Sequence, residues 1–163
     1  DFGLAAPLRS AANPKRFIRG VVLMNMMKQD ELLALLGDTS VSEIECLLVQ
    51  LTFHYSLAEH MVCGRVYHEI GRNDAGIPIV LDPRTGSVWF VHGCALSFIN
   101  SSFGQMIQSV REAHSWKDAP ENLQNGQRAK IFSRALLAID PDCFEHEDGC
   151  WTLIMEEVRN GMI

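Results

Sequence analysis

The sequence predicts an α+β protein, with an antiparallel sheet in the first two thirds of the chain and helices in the last third. Three observations predict it. As far as Asn100, β-branched and apolar residues come in short runs separated by glycine, proline and polar turn residues. Beyond Asn100 they recur at i, i+3, i+4 and i+7, the spacing of a buried helical stripe. A length of 163 residues supports one hydrophobic core and is too short to expect two.

Residues 5–15 hold Pro7, Asn13 and Pro14 among small residues and read as an extended loop. Residues 17–27, with Ile18, Val21 and Val22, favour a strand or two, and 28–36 a short helix ended by Gly37. The stretch 41–62 is ambiguous. Ile44, Leu47, Leu48 and Leu51 sit at helical spacing behind Asp38-Thr39-Ser40, yet Val49, Thr52, Phe53 and Tyr55 suit a buried strand, so a strand near 44–54 is the reading adopted.

Strands are expected over 66–70, ending at Gly71, then over 77–82 and 87–91. The last two are joined through Pro83-Arg84-Thr85-Gly86, where Pro83 presets φ and Gly86 supplies a positive one. In Ser87-Val88-Trp89-Phe90-Val91, alternation places Val88 and Phe90 on one face and Ser87, Trp89 and Val91 on the other. Which face is core is not readable from the pattern.

Ser102-Phe103-Gly104-Gln105 matches a capping box, followed by a stripe of Phe103, Met106, Ile107 and Val110. After a polar loop over 118–127, a second helix runs to Ile139 and stops at Asp140-Pro141. A third begins near Cys150, packs through Trp151, Ile154, Met155 and Val158, and ends at Asn160-Gly161.

Composition narrows the function classes. Apolar residues are 47% and charged residues 21%, a globular balance. No apolar run approaches the roughly 18 residues that span a bilayer, and no secretory signal pattern opens the chain, so a soluble, cytoplasmic protein is expected. The first residue is Asp1, not methionine, which suggests an origin inside a longer or trimmed protein. Five dispersed cysteines (Cys46, Cys63, Cys94, Cys143, Cys150) predict free thiols in a reducing compartment. A net charge of −6 disfavours nucleic acid and anionic membrane and favours a basic partner wherever the acids cluster.

Chemical motifs are scarce. Neither the G-x-x-x-x-G-K-[ST] nor the G-x-G-x-x-G phosphate loop is present. His92 with Cys94, and Cys63 with His68, fall short of a zinc-ligand pattern, so neither metal nor cofactor is expected. No G-x-S-x-G elbow marks a nucleophile, and Glu145-His146-Glu147-Asp148 reads as a solvated turn. Of the three tryptophans, Trp151 lies on a helix stripe, Trp116 covers a helix end, and Trp89 is the candidate binding anchor.

Several segments in fixed order resemble a known family. They are Tyr67-His68-Glu69-Ile70-Gly71, Gly76-Ile77-Pro78-Ile79-Val80-Leu81-Asp82, Thr85-Gly86-Ser87-Val88-Trp89, and Phe98-Ile99-Asn100-Ser101-Ser102-Phe103. Ile139-Asp140-Pro141, Trp151 and Glu156-Glu157…Gly161 continue the series, and Phe2-Gly3-Leu4…Pro7 is similar to an early "G-L-P" turn. Together these resemble the SUKH superfamily of bacterial toxin-immunity proteins, most closely its fourth subgroup. The resemblance covers most of 66–161, while 28–65 match poorly.

The resemblance implies a curved antiparallel sheet with flanking helices in a single domain. It further implies a protein that neutralises a cognate toxin, basic and of nuclease or deaminase type, by tight docking, with no catalytic residues of its own. The groups expected at the docking surface are the outward-facing ones beside the glycine turns: Glu69, Asp74, Asp82, Arg84 and Trp89. Gly71, Gly76 and Gly86 are read as turn formers. The alternatives are an interaction or scaffold module of a larger protein, and a thiol- or metal-dependent enzyme built on Cys63, His68, His92 and Cys94.

Overall fold

The computed structural model describes residues 43–46, 49–116 and 123–162. The readings placed on 5–37, the Phe2–Pro7 turn and part of the polar loop after Trp116 lie outside the described residues.

Six strands form one antiparallel sheet in sequence order: β1 (Glu43–Cys46), β2 (Val49–Val62), β3 (Arg65–Asn73), β4 (Pro78–Leu81), β5 (Val88–His92) and β6 (Ala95–Asn100). Three helices follow: α1 (Phe103–Ser115), α2 (Asn125–Ile139) and α3 (Cys150–Arg159). The chain is therefore α+β, with strands and helices segregated along the sequence as the two periodicities require. The ambiguous stretch 41–62 is strand at its described positions. There Ile44 and Leu51, two of the residues at helical spacing, pair with each other across β1 and β2, and β2 pairs in turn with β3.

The helices cover one face of the sheet. Phe103, Met106, Ile107 and Val110 of α1 meet Phe132 and Leu136 of α2, Trp151 and Met155 of α3, and Ile79, Leu81, Val88 and Ile99 from the strands. Ser102 caps α1, its hydroxyl accepting the Gln105 N–H at 3.3 Å. The expected reciprocal arm is differently used: the Gln105 amide accepts from Ser102 Oγ (2.7 Å) and donates to the Ile139 carbonyl (3.2 Å), tying α1 to the end of α2.

The sheet's second face is also buried, which answers the question of alternation left open at Trp89. Val88 and Phe90 pack on the helix side; Trp89 and Val91 pack on the other with Val62, Tyr67, Val80 and Leu96. Val62 and Tyr67 come from the far end of the β2–β3 hairpin. In a flat meander that turn and the β5–β6 turn lie at opposite ends of the sheet and three strands apart. Their meeting requires the hairpin to curl back over the sheet as an arm. Register shifts between Phe53 and Ala58 in β2, and between Glu69 and Gly71 in β3, lie where the bend must occur, as bulges increase local bend and twist.

Cys143 and Cys150 are free, as expected, but the curl overturns that expectation for Cys63 and Cys94. Cys63, in the β2–β3 turn, is disulfide-bonded to Cys94, in the β5–β6 turn, with Cα atoms 5.5 Å apart and the two positions 31 apart in sequence. Spacing along the chain carries no sign of this contact, because the fold creates it. Both turns suit a tight hairpin: Cys63 and Gly64 take φ of 43° and 80°, and Gly93 takes 65° at the first corner of its turn.

Gly71 is a second correction. The strand does not end there but continues to Asn73, and the glycine is needed for close approach, not for a turn. A Cβ at Gly71 would run into the carbonyl oxygen of Thr52 and stand 3.1 Å from Phe53 Cα. Gly71→Ala is accordingly expected to cost about 1–3 kcal/mol, seen as a lower urea midpoint; an unchanged midpoint would show that β2 can move aside. Gly76 and Gly86, by contrast, have φ of 76° and 82° and serve as turn formers, as expected.

Candidate docking surface

The five residues expected at a docking surface do not form one patch. Asp74 is exposed in the β3–β4 turn, whereas Asp82 and Arg84 belong to the β4–β5 turn at the opposite end of β4. Two of the five also fail to face outward. Glu69 is 9% exposed and Asp82 only 7%.

Each buried carboxylate is neutralised by its own neighbours. Glu69 accepts from Arg72 Nε at 2.7 Å and Arg72 NH2 at 3.1 Å, and lies 2.9 Å from His60 Nδ1 across the hairpin. Burial by itself would raise the Glu69 pKa, but the hydrogen bonds from Arg72 and His60 outweigh it and hold the carboxyl below its ordinary value. Asp82 accepts from the Arg84 backbone N–H (2.9 Å) and guanidinium (3.2 and 3.3 Å), and its pKa is lowered against the same opposing effect of burial. Both acids therefore fasten bends in the backbone, at the crook of the arm and at the β4–β5 turn.

The depressed pKa of Glu69 sets a pH dependence. A carboxyl with a folded pKa below its unfolded one contributes stability that is complete above the ordinary value of 4.5 and lost as pH falls through the depressed folded value. Arg72→Gln is expected to flatten the acid limb of the stability profile, below the ordinary carboxyl value of 4.5, leaving the neutral-to-alkaline limb unaltered in slope. Parallel acid limbs for wild type and variant in denaturant titrations would contradict this.

Trp89 is half-buried and structurally occupied. Register aligns Glu69, Val80, Trp89 and Phe98 across β3 to β6 on the second face. The indole packs edge-on against Phe98 (5.0 Å between centroids) and His146 (5.4 Å) and donates to Ser87 Oγ at 2.8 Å. It braces the β4–β5 turn.

The loop between α2 and α3 gathers exposed acids into one segment, which those five do not. It is pinned at its start by Asp140, which is fully buried and accepts from Asn100 Nδ2 (2.8 Å), Ser101 N (2.8 Å) and Ser101 Oγ (2.9 Å). Asn100 in turn accepts from Trp151 Nε1 at 3.0 Å and donates to Ser109 Oγ at 3.3 Å. Farther along, Thr152 Oγ1 donates to the His146 carbonyl (2.8 Å), and Ser97 Oγ donates to that of Asp148 (2.6 Å) on the edge of β6. The loop is thus tied to β6, α1 and α3 along its length.

From this support it exposes Asp142, Glu145, Glu147 and Asp148. None of the four is ion-paired among the described residues, in contrast to Glu69 and Asp82. Reading this segment as a solvated turn captured its exposure but missed its rigid setting, since the Asn100, Ser101 and Trp151 contacts are 39 to 51 residues distant in sequence.

The residues considered for thiol or metal chemistry are arranged otherwise than that chemistry needs. The Cys63–Cys94 bond leaves neither sulfur as a thiolate. Among the described residues no group of three or more His, Cys, Asp or Glu side chains is placed to hold a metal ion. Likewise no helix among them is long and apolar enough to cross a membrane.

No protein-family model matches the chain, and no curated protein or solved structure matches it significantly.

Proposed function

We propose that this chain is an immunity-type binding protein, similar in kind to the SUKH superfamily, that neutralises a basic nuclease- or deaminase-type toxin by docking and has no catalysis of its own. The observation that carries the reading is the α2–α3 loop, which holds Asp142, Glu145, Glu147 and Asp148 exposed and without internal ion pairs on a pinned backbone. Unpaired carboxylates on a rigid support attract a basic surface over a distance and lose little conformational freedom on contact.

Asn100-Ser101, Asp140 and Trp151, from separate segments of the chain, converge on one buried hydrogen-bonded node that holds this loop in place. Docking would take place in the cytoplasm of the cell that makes the toxin.

The triple variant Glu145→Gln, Glu147→Gln, Asp148→Asn tests the reading against any toxin domain encoded beside this chain. Wild type is expected to inhibit that domain stoichiometrically, and the variant to associate about tenfold more slowly or worse with its fold intact. Equal association rates for the two, or no inhibition by wild type, would remove the basis for the proposal.

A further inference from the structure

The one covalent cross-link among the described residues joins the tips of two hairpins, both in exposed turns. Beneath it the arm rests on a small contact: Val62 and Tyr67 against Val80 and Val91, with Trp89 and Leu96 at the margin. This is far less than the helix-side core that holds the rest of the sheet. The arm's outer surface is open to solvent, with Met61 65% and Val66 40% exposed as a cross-strand pair. The arm is therefore bent at two bulges, lightly packed and fastened at its tip.

We propose that the Cys63–Cys94 disulfide is a redox clasp, and that its reduction by a dithiol releases the β2–β3 arm from the second face of the sheet. The step is ordinary thiol–disulfide exchange. A thiolate of the dithiol attacks one exposed sulfur, the Cys63–Cys94 bond breaks, and a mixed disulfide forms. The dithiol's second thiol then displaces the protein sulfur. The protein gains two electrons and two protons as two thiols, and the reductant leaves as a disulfide.

Exposure makes this pair the accessible one. Cys143, the contrasting case, is fully buried, and burial together with the nearby Asp140 carboxylate pushes its thiol up to about 12. With the clasp open, the arm is held by a few apolar contacts, and local opening becomes the lowest-energy excursion of the fold. In a reducing cytoplasm the open form would be favoured, and in an oxidising compartment the closed one. The clasp does not depend on the docking proposal, and its test uses no partner.

Hydrogen exchange of the full chain, followed by peptide with and without dithiothreitol, decides the matter. Non-reducing peptide mapping of the oxidised protein should yield a Cys63–Cys94 cross-linked pair. Reduction should speed exchange about tenfold or more across 58–69 and 91–96 and leave α1 and α3 unchanged. A Cys63→Ser, Cys94→Ser variant should show the reduced pattern without reductant and ignore its addition. The proposal is overturned if the oxidised protein contains no such pair, if reduction leaves the arm's exchange unaltered, or if exchange rises equally through the helices.

Discussion

Asp140→Ala is expected to remove a large part of the stability of this protein. Asp140 is 0% exposed, and its carboxylate accepts from Asn100, from both the backbone and hydroxyl of Ser101, and from the Asp142 N–H at 3.2 Å. Alanine would leave the buried Asn100 amide with a single long contact to Ser109 and the Ser101 N–H with none of its present acceptor. Each buried donor left unpaired costs about 1–3 kcal/mol, which the relief of burying one carboxylate only partly offsets. A net loss of about 2–5 kcal/mol follows, a serious fraction of the roughly 5–15 kcal/mol that holds a domain together. Asp140→Asn keeps the shape but sets a donor against the Asn100 donor, and should fall between. Urea midpoints at constant slope report all three proteins, and a loss below about 1 kcal/mol for alanine would mean that water replaces the carboxylate.

Trp151→Ala is expected to cost about 3–5 kcal/mol. The side chain is 1% exposed, meets Phe132 edge-on at 6.3 Å, and fills the space between α2, α3 and β6. Trp151→Phe separates the two contributions. It retains most of the apolar volume but leaves Asn100 Oδ1 unpaired, for a loss of about 1–3 kcal/mol. Asn100 joins Trp151 to Asp140, so Trp151→Phe and Asp140→Ala should combine non-additively, by about 0.5 kcal/mol or more. Strict additivity in a double-mutant cycle would show that the node is two independent hydrogen bonds.

What was legible in the sequence was local. Pro83 and Gly86 shape the β4–β5 turn, Ser102 caps α1, Asp140-Pro141 ends α2, and Gly161 follows the end of α3, because each feature acts within a few residues of itself. What was not legible depends on the curl of the sheet. Cys63 and Cys94 look unpaired until the arm brings them together. Glu69 and Asp82 look like outward-facing acids until strand register and turn geometry place an arginine over each. Trp89 has buried surroundings on a face that a flat sheet would leave to solvent. Alternation says which residues share a face, but not that both faces are covered, and so Glu69 and Trp89 read as outward-facing although one is buried and the other half-buried.

The proposal that this protein docks an acidic surface onto a basic toxin is decided by titrating it, at several salt concentrations, with any toxin domain encoded beside it. A one-to-one complex is expected, its association slowing steeply as salt rises and the slope reduced in the Glu145→Gln, Glu147→Gln, Asp148→Asn variant. No binding at micromolar concentration, or binding indifferent to both salt and those substitutions, would contradict it.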